Sequence, residues 1–178
     1  MLILVGSRRD GNSLNLAKEI KKTLDESRIH SEIIVPGNQR IKVCTGCMDC
    51  DKDGVCDFTD DMEKNIEKIK QDNIIMFITP TRWNILSGDL KIFMDRLNPL
   101  YSRKELKGKK MIAVSIAAAK KDSESSTSAL RTLESFAESA QMEIVLKKTF
   151  NECLNPQDIL NNNDLQSFID NVKKECKK

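Results

Sequence analysis

The chain has 178 residues, of which 31% are charged, and its acidic and basic side chains nearly cancel to a net charge of +2. A chain of this length can bury one sizeable core, so we expect a single domain over residues 1–178. The balanced charge gives no electrostatic attraction to nucleic acid or to a membrane surface, and no apolar run approaches the ~20 residues of a membrane span.

The N-terminal residues predict a buried strand. Residues 1–5 are all apolar, end at Gly6, and have no basic segment before them, which argues against a secretory signal. We therefore expect a cytoplasmic protein. Thiols stay reduced in that compartment, so its cysteines are expected to serve metal or redox chemistry and not disulfides.

Strands and helices then alternate along the chain. Further short apolar strands are predicted at residues 31–35, 73–78, 110–116 and 143–148. Amphipathic helices with a three-to-four-residue apolar period are predicted on residues 16–24, 62–69, 90–97, 130–140 and 163–172. Thr59 and Asp60 are suitable caps for the second helix, and residues 120–128 are predicted as a polar loop. Five strands alternating with five helices predict an α/β domain with a doubly wound parallel sheet.

The loop after the first strand has the composition of a phosphate site. Ligands of such a sheet bind beyond the carboxyl ends of the strands, where the strand order reverses. Ser7, Arg9, Asn12 and Ser13 supply hydroxyls, a guanidinium and an amide beside the positive end of the first helix. An ordinary turn capped by Asn12 or Ser13 is the alternative. Neither G-x-x-x-x-G-K-[ST] nor G-x-G-x-x-G occurs, which argues against a nucleotide triphosphatase and a usual dinucleotide fold.

The loop after the third strand is the second candidate for ligand contact. Pro80 and Asn84 indicate an irregular turn whose backbone groups can meet the edge of a polar ring system. Trp83 is the single tryptophan. It either covers a ligand or seals the end of the sheet as a core residue, and the sequence leaves both open.

A dense group of cysteines follows the second strand. Four of the six cysteines are spaced C-x2-C-x2-C-x5-C, and Gly46 and Gly54 let the chain fold back around them. The candidate ligands are Cys44, Cys47, Cys50 and Cys56. A [4Fe–4S] cluster fits this spacing. A structural zinc usually takes two separated C-x2-C pairs, and thiols without metal are a third possibility. Cys153 and Cys176 lie far away in sequence and are interpreted as structural.

Three stretches together resemble the NADPH-dependent FMN reductases, a branch of the flavodoxin-like fold. Gly6-Ser7-x-Arg9-x-Gly11-Asn12-Ser13 is similar to their FMN phosphate loop. Residues 80–96, which end in Leu90-Lys91-x-Phe93-x-Asp95-Arg96, are similar to their flavin-ring loop and the helix after it. The cysteine spacing followed by Asp60-Asp61-Met62 resembles the iron–sulfur flavoproteins of this group.

The resemblance implies a three-layer fold with a five-stranded parallel sheet in the order 2-1-3-4-5, and a cysteine-rich loop at 43–58. It implies FMN at the carboxyl edge, a [4Fe–4S] cluster on the cysteines, NAD(P)H or another small-molecule or protein electron partner, and a homo-oligomer, either a dimer or a tetramer. The residues implied around the FMN phosphate are Ser7, Arg9, Asn12, Ser13 and Leu14. Those implied along the flavin ring are Pro80, Thr81, Arg82, Trp83, Asn84 and Ile85.

The sequence departs from this pattern after the fourth strand, where residues 115–120 lack the usual glycines, so Ala117 and Ala118 are left outside the predicted site. The expected function is that of an FMN-dependent NAD(P)H oxidoreductase or electron-transfer flavoprotein, in which the cluster relays single electrons. No general base is required, and His30 is expected at the surface. The alternatives are a cluster-free NAD(P)H:quinone or nitro-compound reductase, and a non-catalytic redox or metal sensor.

Overall fold

The computed structural model describes residues 1–121 and 123–178 and contains a five-stranded sheet whose paired strands are all parallel. The strands are β1 (Leu2–Val5), β2 (Glu32–Ile34), β3 (Ile74–Pro80), β4 (Lys110–Ile116) and β5 (Glu143–Phe150). Their order is β2-β1-β3-β4-β5, which confirms the predicted flavodoxin-like topology. The order reverses between β1 and β3, so a ligand cleft is expected at their carboxyl ends.

Helices cover both faces of the sheet. They are α1 (Asn12–Glu26), α2 (Cys50–Asp53), α3 (Met62–Gln71), α4 (Gly88–Asp95), α5 (Asn98–Ser102), α6 (Glu124–Ser139) and α7 (Leu165–Cys176). Successive strand side chains point to opposite faces, so alternate residues supply two separate cores. Ile3 and Ile78 pack with α1 and α7, whereas Leu4 and Phe77 pack with α3, α4 and α6. The result is the predicted three-layer arrangement.

Several predicted boundaries are corrected by tertiary contacts. β3 continues to Pro80 because Thr79 and Pro80 still lie opposite Ser115 and Ile116 in β4. β5 continues to Phe150, whose ring meets Phe168 of α7 edge-on at 5.4 Å between centroids. The short helices α2 and α5 were not predicted.

The loop predicted at 120–128 is wrong over its second half, because α6 already begins at Glu124. An acidic residue such as Glu124 stabilises the first turn of a helix, and the polar composition of this segment concealed the helix start. Asp122, within this predicted loop, lies outside the described residues. His30 is exposed, as predicted. In the described part of the chain, no helix has the length and apolar character needed to cross a bilayer.

Candidate functional site

The loop between β1 and α1 leaves the first amides of α1 open. Gly11 occupies the N-cap position and, because it has no side chain, makes no capping hydrogen bond. The N–H groups of Asn12, Ser13 and Leu14 therefore face the end of a 15-residue helix without an intrahelical acceptor. This finding overturns the alternative of a turn capped by Asn12 or Ser13. An open helix N-terminus of this kind is suited to an anion.

The two neighbouring arginines of this loop differ in their ion pairing. Arg8 donates two hydrogen bonds to Asp89, from Nε at 3.0 Å and from Nη2 at 2.7 Å, and these bonds raise the pKa of its guanidinium. Arg9 has no ion-pair partner within residues 1–121 and 123–178. Its side chain lies against Gly11, since a Cβ added to Gly11 would be 3.3 Å from Arg9 Nε. Arg9 is thus a free cation beside the open amides.

The side chain of Asn12 points away from the helix N-terminus. Its Nδ2 donates to the carbonyl oxygens of Cys153 at 3.0 Å and Asn155 at 2.7 Å, and its Oδ1 accepts from the backbone N–H of Ile159 at 3.0 Å. Both the amide nitrogen and the amide oxygen of Asn12 therefore hold the segment after β5 against α1. Only the backbone of Asn12 is left to face the candidate anion site.

The loop after β3 forms a tight turn. Arg82 and Ile85 exchange backbone hydrogen bonds of 2.8 and 2.9 Å, and Trp83 and Asn84 between them adopt left-handed φ values of 47° and 63°. This conformation is strained for a bulky residue such as tryptophan. The Trp83 side chain is 98% exposed, so the interpretation as a core residue is wrong.

The two candidate loops are packed tightly against each other. The backbone N–H of Gly6 donates to the Ile78 carbonyl at 2.8 Å, and a Cβ added to Gly6 would lie only 2.5 Å from Ser87 Oγ. Ser87 caps α4 by accepting from Leu90 N–H, and its own N–H donates to Thr79 Oγ1 at 3.0 Å. A glycine is needed at position 6 because no side chain fits between the loops.

A pocket of about 230 Å³ lies between these loops at the carboxyl edge of the sheet. The predicted site residues that line it are Ser7, Arg9, Asn12, Ser13, Pro80, Thr81 and Arg82. The predicted residues that do not line it are Leu14, Trp83, Asn84 and Ile85. Sequence reasoning missed Gly11, Ile116, Ala118, Cys153 and Leu154. The lack of nearby glycines argues against Ala118, but its place shortly after β4, at the carboxyl edge of the sheet, is a signal for including it.

Cys153 forms part of the wall of this pocket. It is 7% exposed, and burial, assisted by the charge of Asp158, raises the pKa of its thiol to about 11. The thiol is therefore neutral at physiological pH and supplies apolar surface, not a nucleophile. Its backbone carbonyl accepts from the Asn12 side chain and its backbone N–H donates to the Ala117 carbonyl, and no local sequence pattern reveals these contacts.

The second candidate region is the cysteine loop, residues 43–58. Cys44, Cys47, Cys50 and Cys56 all line a cavity of about 180 Å³ together with residues at the junction of α4 and α5. Gly46 and Gly54 adopt left-handed φ values of 69° and 76°, which confirms that glycines let the chain turn there. The four thiols of the cysteine loop thus share one cavity.

A buried ion pair joins the two ends of the cysteine loop near Lys42 and Asp60, which we call the base of the loop. Arg96 donates from Nη1 to Asp60 Oδ2 at 2.6 Å and to the Lys42 carbonyl at 2.8 Å, and the two charged side chains are 1% and 3% exposed. Asp60 also accepts from the backbone N–H of Lys42 and of Met62, the first residue of α3. The N-cap position itself is Asp61 and not the predicted Thr59 or Asp60, and the Asp61 side chain makes no capping bond. Burial alone would raise the pKa of Asp60, but the bonds from Arg96 and these amides outweigh it and lower the pKa.

Two of the thiols receive side-chain hydrogen bonds. Arg96 Nη2 lies 3.4 Å from Cys56 Sγ, and Asn98 Nδ2 lies 3.1 Å from Cys50 Sγ. Cys44 and Cys47, by contrast, are exposed. The cysteine loop therefore has an anchored half and an exposed half.

The ligand atoms that lie closest together are those of Cys47, Asp49 and Asp57, within 4.8 Å of one another. Across the described ranges, the four thiols do not form a group at this spacing, which is the spacing that a single bound ion requires. The described residues thus contain no four-cysteine group at the spacing of a tetrahedral zinc site.

Comparison with known proteins gives consistent results. An iron–sulfur flavoprotein of Methanocaldococcus jannaschii is 29% identical over 120 residues, which are 67% of this chain and 62% of that protein. The chain thus spans less than two thirds of this relative. A flavone reductase structure superposes with a TM-score of 0.76 at 16% identity, over 99% of this chain and 62% of that one. Megasphaera elsdenii flavodoxin gives 0.62 at 14% identity, over 98% and 99%.

The two solved structures establish the fold alone, because their sequence identity to this chain is low. The family is established by sequence. The pattern of the NADPH-dependent FMN reductases matches residues 1–151, which include both loops of the carboxyl-edge pocket and the whole cysteine loop. The chain therefore belongs to the NADPH-dependent FMN reductase family.

Proposed function

We propose that residues 1–178 form one FMN-binding domain that works as an FMN-dependent oxidoreductase or electron-transfer flavoprotein. The observation that carries this proposal is the pocket at the carboxyl edge, which joins the open N-terminus of α1 to the loop after β3. Its two ends match the two ends of a flavin mononucleotide, an anionic phosphate and a flat polar ring. Bound FMN supplies hydride acceptance from NAD(P)H and the release of electrons singly or in pairs.

The phosphate is assigned to the first loop. Ser7 and Ser13 offer hydroxyls, Arg9 offers an unpaired positive charge, and the amides of residues 12–14 at the start of α1 have no capping acceptor. A helix N-terminus and a free guanidinium together stabilise a dianion without any further cation. Asn12 and Leu14 contribute through their backbone in this proposal, since the Asn12 side chain is bound elsewhere.

The ring is assigned to residues 80–85. Pro80, Thr81 and Arg82 already line the pocket, and the Trp83-Asn84 turn with Ile85 projects beyond them into solvent. A bulky residue held in a strained conformation and left exposed is typical of a contact made only with a ligand or partner. We assign Trp83 to the cover over the ring, with Asn84 and Ile85 fixing the turn.

The cysteine loop is proposed to hold a [4Fe–4S] cluster on Cys44, Cys47, Cys50 and Cys56. The four thiols share one cavity, and two of them accept hydrogen bonds from side chains at its rim. Such a cluster would supply single-electron steps.

The flavin proposal is tested by purification and by titration. The protein should be yellow and should release FMN in near one-to-one amount on denaturation. FMN-free protein should take up added FMN and then oxidise NADPH or NADH. A colourless protein that binds no added FMN would contradict the proposal.

The cluster proposal is tested separately, by anaerobic purification followed by an absorption spectrum and assays of iron and sulfide. Four irons and four sulfides per chain are expected for a [4Fe–4S] site. The exposed Cys44 allows a direct test, because Cys44→Ser should lower the iron content while FMN binding remains. Unchanged NAD(P)H oxidation in Cys44→Ser, together with no iron in the wild type, would indicate a cluster-free reductase. Sedimentation of the loaded protein tests the expected dimer or tetramer.

A further inference from the structure

The junction of α4 and α5 supplies the side-chain nitrogen donors that reach the thiols of the cysteine loop. Arg96, just after α4, reaches Cys56, and Asn98, at the start of α5, reaches Cys50. These two donors lie on a packed segment, since Leu97 between them is buried in the core beneath the sheet. Half of the thiols are therefore positioned by a rigid part of the fold.

Arg96 also joins the two ends of the loop. Its guanidinium binds the Lys42 carbonyl just before the loop and the Asp60 carboxylate just after it. The same group lies 5.0 Å from the centre of the Phe58 ring, inside the loop. One side chain thus fixes the beginning, the end and the last cysteine of the loop.

We propose that Arg96 is the positioning residue of the cysteine site and that Arg96 and Asn98 together set its reduction potential. This inference rests on the proposed [4Fe–4S] cluster. One-electron reduction of such a site adds one electron and one negative charge, and Arg96 and Asn98 keep their protons throughout. Donors aimed at the ligand sulfurs stabilise the added charge, so they raise the reduction potential.

The variants are chosen to separate this effect from loss of folding. Arg96→Gln alone would leave the Asp60 carboxylate buried without its partner, so it is combined with Asp60→Asn, which keeps two neutral side chains in contact. Asn98→Leu removes the donor to Cys50 at similar volume and leaves the ion pair intact. Arg103→Gln is the matched control, because Arg103 contacts the loop at Gly54 and the Lys52 carbonyl but reaches no thiol.

The first measurement is an anaerobic potentiometric titration of the loaded proteins, monitored by electron paramagnetic resonance. In Asn98→Leu and in the double variant, the equilibrium constant for one-electron reduction should fall about tenfold, which corresponds to a potential about 59 mV more negative. Arg103→Gln should keep the wild-type potential. Unchanged potentials in both test variants, or an equal shift in Arg103→Gln, would overturn the inference.

The second measurement uses the cluster-free proteins and so does not depend on the proposed cofactor. Because Arg96 holds the Lys42 carbonyl, limited trypsin digestion after Lys42 should be faster in the double variant than in the wild type. The cleavage should be unchanged in Asn98→Leu and Arg103→Gln. Unchanged cleavage in the double variant would show that Arg96 does not position the loop. A wild-type protein without iron and sulfide would instead contradict the cluster, and with it the claim about the potential.

Discussion

The carboxyl-edge pocket and the cysteine loop are built in different ways. The pocket is formed where β1, β3 and β4 end and α1 begins, so backbone groups and the ends of regular elements determine its shape. The cysteine loop contains only the one-turn helix α2, and side chains from α4 and α5 hold it in place. The first site is a property of the fold, whereas the second depends on a few individual residues.

This difference has a consequence for mutation. Side-chain changes in the pocket should alter ligand affinity and leave the fold stable, because the sheet and helix termini remain. Changes at the base of the cysteine loop should alter stability, because a buried charge pair holds that base.

The largest effect is expected for Arg96→Met. This change leaves the nearly buried Asp60 carboxylate without its partner, and breaking a buried pair in this way costs about 3–5 kcal/mol of unfolding free energy. Urea unfolding of the FMN-free protein measures it. Arg9→Met is the control at the pocket, since Arg9 is exposed and its removal should change stability by less than about 0.5 kcal/mol. Equal losses of unfolding free energy in Arg96→Met and Arg9→Met would contradict the expected difference between the cysteine loop and the pocket.

A smaller effect, on ligand affinity, is expected for Gly11→Asp. The new carboxylate would cap the open amides of α1, raise stability by about 0.5–1 kcal/mol, and repel the FMN phosphate from the same amides. FMN affinity should fall by about tenfold to a hundredfold, which titration of the FMN-free protein would measure. Gly11→Ala adds the same Cβ without a charge. If Gly11→Ala weakened FMN binding as strongly as Gly11→Asp, the cause would be crowding of the Arg9 side chain and not repulsion of the FMN phosphate.

The fold and the location of the pocket were predictable because they depend on local patterns. Apolar runs of strand length and helical periods of three to four residues predicted the α/β alternation, and the first-loop motif contains Ser7, Arg9 and Ser13, which line the pocket. The cysteine spacing predicted a metal or cluster site, and the four thiols line one cavity. Each of these signals lies within a short stretch of sequence.

The remaining features depend on contacts between distant residues. Asn12 binds carbonyls more than 140 positions later, and Arg96 meets Asp60 across 36 positions. No periodicity reports such pairs, so the direction of the Asn12 side chain and the place of Cys153 on the pocket wall were missed. Trp83 could not be decided from sequence either, because its exposure follows from the left-handed turn that it shares with Asn84.

Acid should weaken the base of the cysteine loop selectively. The folded-state pKa of Asp60 lies below that of the unfolded chain, about 3.9, so its contribution to stability is fully present above that value and is lost as the pH falls toward the folded-state pKa. Urea unfolding from pH 6 to pH 3 should therefore show a shallower decline for Asp60→Asn/Arg96→Gln than for the wild type. Parallel curves would mean that other carboxylates govern the acid response.

The smallest effect is expected for Trp83→Asn. This variant tests whether the strained left-handed conformation of Trp83 serves contact with the ligand. Asparagine tolerates the left-handed conformation better than tryptophan, and the exposed indole buries little surface in the FMN-free protein. The variant should therefore gain about 0.5 kcal/mol of stability without FMN.

With FMN present, this gain should disappear, because the proposed cover over the ring is lost. Thermal unfolding with and without saturating FMN measures both quantities in one series. Trp83→Phe is the control that keeps both an aromatic ring and the strained turn, and it should behave like the wild type in both conditions. If Trp83→Asn were stabilised equally with and without FMN, the indole would make no contact with the flavin. The backbone of residues 80–82 alone would then form the ring side of the pocket, without a contribution from the turn at Trp83 and Asn84.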